Sequence, residues 1–292
     1  MESLDITSTI ISTINTIFSK IFSSIDNSVY STLDRFTFIN SDILHDEYFS
    51  KIFGINSGNG ILLLSNALVF GFLLFYSFQL LFSHLGITQS ERPSKFIFKL
   101  IVFGICMNFS FFICDQMIYL NTIITNTIRQ IGENLYHFPI SFSTLIDKLN
   151  PIISVDRDSL DIFSLDGIMK SMISFGILNL VITYSIRYVL IKIFILISPF
   201  AFLSLTTLPT SILFKSWFKS FLSLLLIQVF VSLVLLFILS LNLKSSDIFS
   251  KFILLASIFI LIKSNSYVKE MLGGISTDFS TSFNSMKSFF RK

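Results

Sequence analysis

The sequence predicts an all-α polytopic membrane bundle: about five spans, one re-entrant or broken helix, and flanking amphipathic helices. Three observations carry this. The 292 residues are 52% hydrophobic and only 13% charged, with a mean hydropathy of +0.77, where a soluble domain carries about 25% charged residues. The apolar residues gather into stretches of roughly 20, the length that crosses a hydrocarbon core about 30 Å thick. Between two of these stretches, residues 193–208 are apolar but interrupted by proline and flanked by basic residues on both sides. The many Phe and Ile residues read as the codon bias of an AT-rich genome. The net charge of +3 is too small to imply a partner by itself.

Residues 1–60 form an outer unit. Over 4–25, apolar residues from Leu4 to Ile25 recur at helical spacing opposite Ser, Thr and Asn, which predicts an amphipathic helix on a membrane or a partner. These residues show no continuous apolar core of a cleavable signal, so insertion is expected to rely on the spans themselves. The segment 26–60 is polar and acidic and ends in the glycine-rich GINSGNG. Residues 61–120 hold two spans, 61–82 and 96–120, with Asn108 and Asp115 in the second. Residues 121–167 are expected to be a large outer loop containing one helix, because their apolar positions (Ile124, Ile128, Ile131, Leu135) recur at helical spacing.

Residues 168–263 are the C-terminal membrane core. Its first span leads to Arg187 and Lys192, then to Ser198-Pro199, Pro209 and the basic turn around Trp217, before a long apolar span, 218–241, containing Gln228. Proline removes a helix hydrogen bond and crowds the preceding turn, so Pro199 and Pro209 are expected to punctuate the helix. The piece between them is too short to cross. It is therefore read as part of a re-entrant element over 193–212, which a membrane tolerates only where protein shelters the backbone. A fifth span follows at 248–262. Residues 264–292 form a cytoplasmic amphipathic tail.

Basic residues near span ends set orientation. An outside N-terminus and cytoplasmic C-terminus put Arg92, Lys95, Arg187, Lys192, Lys215 and Lys219 inside with the basic tail, and residues 26–60 with most acids outside. The expected location is the cell's cytoplasmic (inner) membrane. The candidate intramembrane polar contacts are Asp115, Arg187, Lys192 and Gln228. Asp115 reads as a hydrated carboxylate near a span end, Trp217 as an interfacial anchor, and Gln228 as a hydrogen bond to a neighbouring helix. Arg187 either marks the inner interface or pairs with backbone carbonyls at the Pro199 break.

No enzyme is expected. His45, His84 and His137 are scattered, and neither HExxH, GxSxG nor GxGxxG occurs. Cys106 and Cys114 lie about 12 Å apart along one helix, too far for a disulfide. No metal or cofactor site is predicted, and no catalytic residue. A small-molecule transporter or permease component is the alternative, weakened because no charged residue interrupts the centre of a span.

The segment from Arg187 through SPFAF and Pro209 to KSWFKSF, followed by an apolar helix with Gln228, resembles the TrbL/VirB-six family. These are polytopic membrane core subunits of type IV secretion and conjugation systems. The motif covers residues 168–264; the first 160 agree in layout only. The resemblance implies a structural channel subunit in a homo-oligomeric ring, embedded in the lipid bilayer. It would contact other type IV secretion subunits, including the secretion ATPases and cell-wall-facing components, and transiently single-stranded DNA bound to protein. It gives Ser198, Pro199, Pro209 and Trp217 a gate or packing role.

Overall fold

The computed structural model describes residues 27–55, 59–86, 92–149, 165–207, 210–241 and 248–272, with a few positions between 9 and 17. Those few are helical; the rest of 4–25, Pro209, and the tail beyond 272 lie outside the described residues. The helices are α1 (Asn27–Thr37), α2 (Glu47–Phe53), α3 (Ile61–His84), α4 (Pro93–Asn108), α5 (Ser110–Tyr136), α6 (Phe142–Leu149), α7 (Leu165–Leu203), α8 (Ser211–Ser240) and α9 (Ile248–Leu272). Short 3-10 turns lie at Ser41–Leu44 and Ser204–Thr206, and no strand occurs among the described residues. Helices α3, α7, α8 and α9 are each long and apolar enough to cross a membrane, and α4 with α5 makes a fifth, bent candidate. The protein is an all-α, multi-pass membrane bundle.

Helix α7 is the hub, packing on α1, α3, α4, α5, α8 and α9. It has 39 residues, about 58 Å of helix, which exceeds the roughly 30 Å of a hydrocarbon core. Helix α8 returns antiparallel to it in fixed register. Arg187 meets Leu224, and seven residues further along α7, seven earlier on α8, Phe194 meets Trp217. Helix α4 packs against the Ser204–Thr206 turn, at the end of the bundle where the hairpin closes. The other end gathers α6 and the last turn of α8, where Lys148 Nζ donates to Leu239 O at 3.2 Å. A lysine suits the electronegative C-terminus of a helix.

Three expectations change. The element read as re-entrant over 193–212 is not broken at Pro199: α7 runs through Pro199 to Leu203, a 3-10 turn follows at Ser204–Thr206, and α8 starts at Ser211. Proline at 199 leaves the Ile195 carbonyl without its usual N–H donor. The Ser198 hydroxyl supplies it, donating to Ile195 O at 2.7 Å, as serine does for interrupted membrane helices. The break lies elsewhere, between α4 and α5, which meet at 58° around Phe109. Asn108 Nδ2 donates to Gly104 O at 2.9 Å, intruding on the carbonyl that the backbone ladder uses there, a recognised cause of kinks. The helix expected inside the outer loop is simply the continuation of this second half, so α5 spans both predicted elements.

The structure pairs one residue from each expected side: Asp46 Oδ2, expected outside, lies 3.6 Å from Lys192 Nζ, expected inside. The glycine-rich stretch has a steric role. Gly54 caps α2 with φ +98, a left-handed conformation that glycine adopts without strain, and a Cβ on Gly60 would meet the Gly54 backbone at 2.7 Å.

A double-mutant cycle tests the Pro199 account. Ser198→Ala should cost about 1–2 kcal/mol by orphaning the Ile195 carbonyl. In a Pro199→Ala background the restored N–H takes that carbonyl, and the cost should vanish in thermal melts of the purified protein. An equal cost in both backgrounds contradicts it.

Candidate functional site

The polar residues of the bundle converge on the short piece of chain that leaves α1, residues 37–39. Helix α1 ends there, so the last carbonyls and the next N–H groups have no helical partner. Side chains from three long helices take them up. Arg187 of α7 donates from Nη1 to Thr37 O at 2.9 Å and from Nε to Leu224 O of α8 at 2.7 Å. The Ile39 N–H donates to Gln228 Oε1 of α8 at 3.1 Å. The Thr122 hydroxyl of α5 lies 3.2 Å from Ile39 O. The clasp is buried: Arg187 is 0% exposed and Gln228 1%.

Arg187 has no carboxylate within ion-pair distance among the described residues. Its charge is met by carbonyl dipoles, so the guanidinium fork matters more than the charge alone: a planar fork can reach two acceptors in different directions, which an ammonium cannot do equally well. Leu224 O lies in the interior of α8 and already serves that helix's ladder, so Nε binds its second lone pair. Of the two readings of Arg187, the pairing with backbone carbonyls holds. The carbonyls belong to α1 and α8, not to the turn near Pro199.

A second tie fixes the other side of α1. Asp34 accepts from the Phe142 N–H at 2.8 Å and from the Ser143 hydroxyl at 3.0 Å, placing a carboxylate at the N-terminus of α6, where helix dipoles favour one. Burial pushes the Asp34 carboxyl above its usual range, more than these hydrogen bonds and the nearby Arg129 pull it down. A folded-state value raised in this way means that stability falls as pH rises through it, because the unfolded chain ionises more readily. Arg129 lies 4.5 Å from the Phe38 ring and donates to Ile140 O at 3.0 Å. Ile140 in turn fills the space above Gly132.

The remaining predicted residues fall into two groups. Lys192 contacts Asp46 and lies 5.4 Å from the rings of Phe49 and Tyr188. Ser198 and Pro199 lie towards the hairpin end of α7. Trp217 is no interfacial anchor: it is 6% exposed, stacked on Phe221 at 5.4 Å and bonded through its indole N–H to Phe194 O at 2.8 Å. Its polar tip finds a carbonyl inside the hairpin instead of headgroup water. Asp115 sits in the second turn of α5, within the bent pair and away from either end, with Oδ1 buried and unpartnered. It forms no ion pair with Arg187 among the described residues.

Sequence reasoning found Arg187 and Gln228 but not their target. Thr37 and Ile39 contribute backbone atoms, which carry no residue-specific signal. Among the described residues no group of three His, Cys, Asp or Glu side chains could hold a metal. What the site can do chemically is bind backbone, so its effect is mechanical: it pins the N-terminal segment to the α7–α8 hairpin. Comparison of the chain with family models, curated proteins and solved structures gives no match in any of the three.

Arg187→Lys should lower stability by about 1.5–3 kcal/mol, the worth of one hydrogen bond to a charged donor, because a single ammonium nitrogen reaches Thr37 and Leu224 together less well than the two fork nitrogens do. Arg187→Leu should cost more, since both carbonyls then lose the guanidinium. Chemical or thermal unfolding of the solubilised chain checks the order; equal stability of Arg187→Lys and the unsubstituted chain contradicts it.

Proposed function

We propose that the chain is a structural membrane subunit of a type IV secretion or conjugation machine. It helps to form the passage for single-stranded DNA bound to protein, or for protein substrates. The observation that carries this reading is the hairpin built from the residues of the family resemblance. Ser198, Pro199 and Trp217 lie in one hydrogen-bonded, aromatic-packed unit between α7 and α8. A side-chain set whose bonds go to backbone carbonyls suits a part that bears load and holds shape.

Exposed apolar faces support an embedded subunit. Helix α3 buries only 11% of its most apolar window and presents Leu68, Phe70, Phe75 and Phe78 outward, suiting lipid or neighbouring subunits, including further copies in a ring. The partners of this reading are the machine's ATPases and cell-wall-facing components. The location is the cytoplasmic membrane, with the N-terminus outside and the C-terminus cytoplasmic. The Ser204–Thr206 turn packs on α4, and α6 lies with the end of α8. Among the described residues the transporter alternative can point to one buried charge, Arg187. Two of its three nitrogens are committed to backbone carbonyls, which leaves little of it for a substrate.

The test is genetic. Deleting the gene from its own host should abolish transfer of DNA or secreted protein, and the unsubstituted gene should restore it. Trp217→Ala at unchanged protein level should restore it poorly. Unimpaired transfer in the full deletion ends this reading.

A further inference from the structure

The layer around Arg187 contains more polar atoms than the protein pairs. Arg187 Nη2, the side-chain oxygen and nitrogen of Asn121, and the Ser223 hydroxyl are all buried without a hydrogen-bond partner among the described residues. Their residues are 0%, 6% and 0% exposed. Native interiors leave few such atoms, and each one asks for an explanation. Here they share one cross-section of the bundle.

Chain connectivity places them at one level of the bundle. Ser223 immediately precedes Leu224, whose carbonyl receives Arg187 Nε. Asn121 immediately precedes Thr122, whose hydroxyl lies against Ile39 O, two residues from the Thr37 carbonyl that receives Arg187 Nη1. Asn121 also lies on the buried stripe of α5 with Ile118 and Thr125. Helices α5, α7 and α8 pack on one another.

The chemistry of the unpaired atoms selects what could complete them. Nη2 and Nδ2 donate, Oδ1 accepts, and the hydroxyl does both. A halide would satisfy the donors and leave Oδ1 unpaired. A cation would be repelled by the guanidinium. Water donates and accepts, and buried water typically bridges two to four otherwise unsatisfied polar groups. We propose that the Arg187 layer is a buried hydration site, in which ordered water bridges Arg187 Nη2, Asn121 and Ser223 across α5, α7 and α8. Such water stands in for the missing carboxylate and keeps the guanidinium solvated inside the bundle.

Thermal melts of the full-length chain in nanodiscs test this through Asn121→Leu, Ser223→Ala and their combination. If water bridges the groups, each substitution should lower Tm by roughly 2–4 °C. The pair should then lose less than the two losses added together, because both act on the same water. A rise in Tm would show dry, unpaired atoms whose removal relieves the fold, and additive losses would show independent sites; either overturns the proposal. A Tm that moves when chloride is exchanged for gluconate assigns the layer to an anion and overturns it as well. Should Asn121→Leu fail to fold, the unsubstituted protein decides by density. Water peaks within hydrogen-bonding distance of Nη2 and Asn121 support the site, and continuous side-chain packing there removes it.

Discussion

The fold depends on a buried guanidinium that holds two backbone carbonyls from different parts of the chain. Arg187 reaches Thr37 at the end of α1 and Leu224 in the middle of α8. In a protein with few charges and much apolar surface, the hydrophobic effect cannot specify which helix lies beside which, because lipid is as good a neighbour as leucine. Directional bonds can. The Arg187 fork and the Gln228 amide both bind residues 37–39, and the Thr122 hydroxyl, 2.9 Å from Ile118 O in its own helix, lies 3.2 Å from Ile39 O as well. Removing the fork would leave two buried carbonyls short of a donor, which is why so few polar residues can organise so long a chain.

That constraint propagates outward. With α1 fixed, Asp34 can cap α6, and α6 can bring Lys148 to the end of α8. With Arg187 facing Leu224, the register of the hairpin is set, and Trp217 meets Phe194. The aromatic cluster of Phe202, Phe214, Trp217 and Phe221 then closes the hairpin near its turn. A separate small cluster, with Tyr76 stacked on Phe96 at 3.8 Å, attaches α3 to α4. The N-terminal segment, α5 and the hairpin are therefore one mechanical unit, with α3 on its flank.

The sequence made the apolar spans plain, since runs of some twenty apolar residues have few other fates. It also marked Arg187 and Gln228, because polar groups in such runs must bond something. Its errors share a cause. Proline breaks an isolated helix, whereas here Ser198 satisfies the carbonyl that Pro199 strands. Asn108 bends the chain through a side-chain bond to Gly104, a competition visible only once the geometry is known. Lys192 reads as an interface marker in the sequence because its partner, Asp46, lies 146 positions away in the chain. Trp217 looked amphipathic between two lysines, yet its helix turns it inward. In each case a tertiary partner outweighed the local rule.

The docking of residues 37–46 against the middle of α7 is the claim on which the rest stands, and proximity in the native membrane tests it most directly. With Cys106 and Cys114 replaced by alanine, Asp46→Cys and Lys192→Cys should be joined by a short thiol crosslinker in intact membranes. Mass spectrometry of the digest would then show the linked peptides. If no link forms while each cysteine alone reacts with impermeant reagent from opposite faces of the membrane, the segment is not docked there and the account fails.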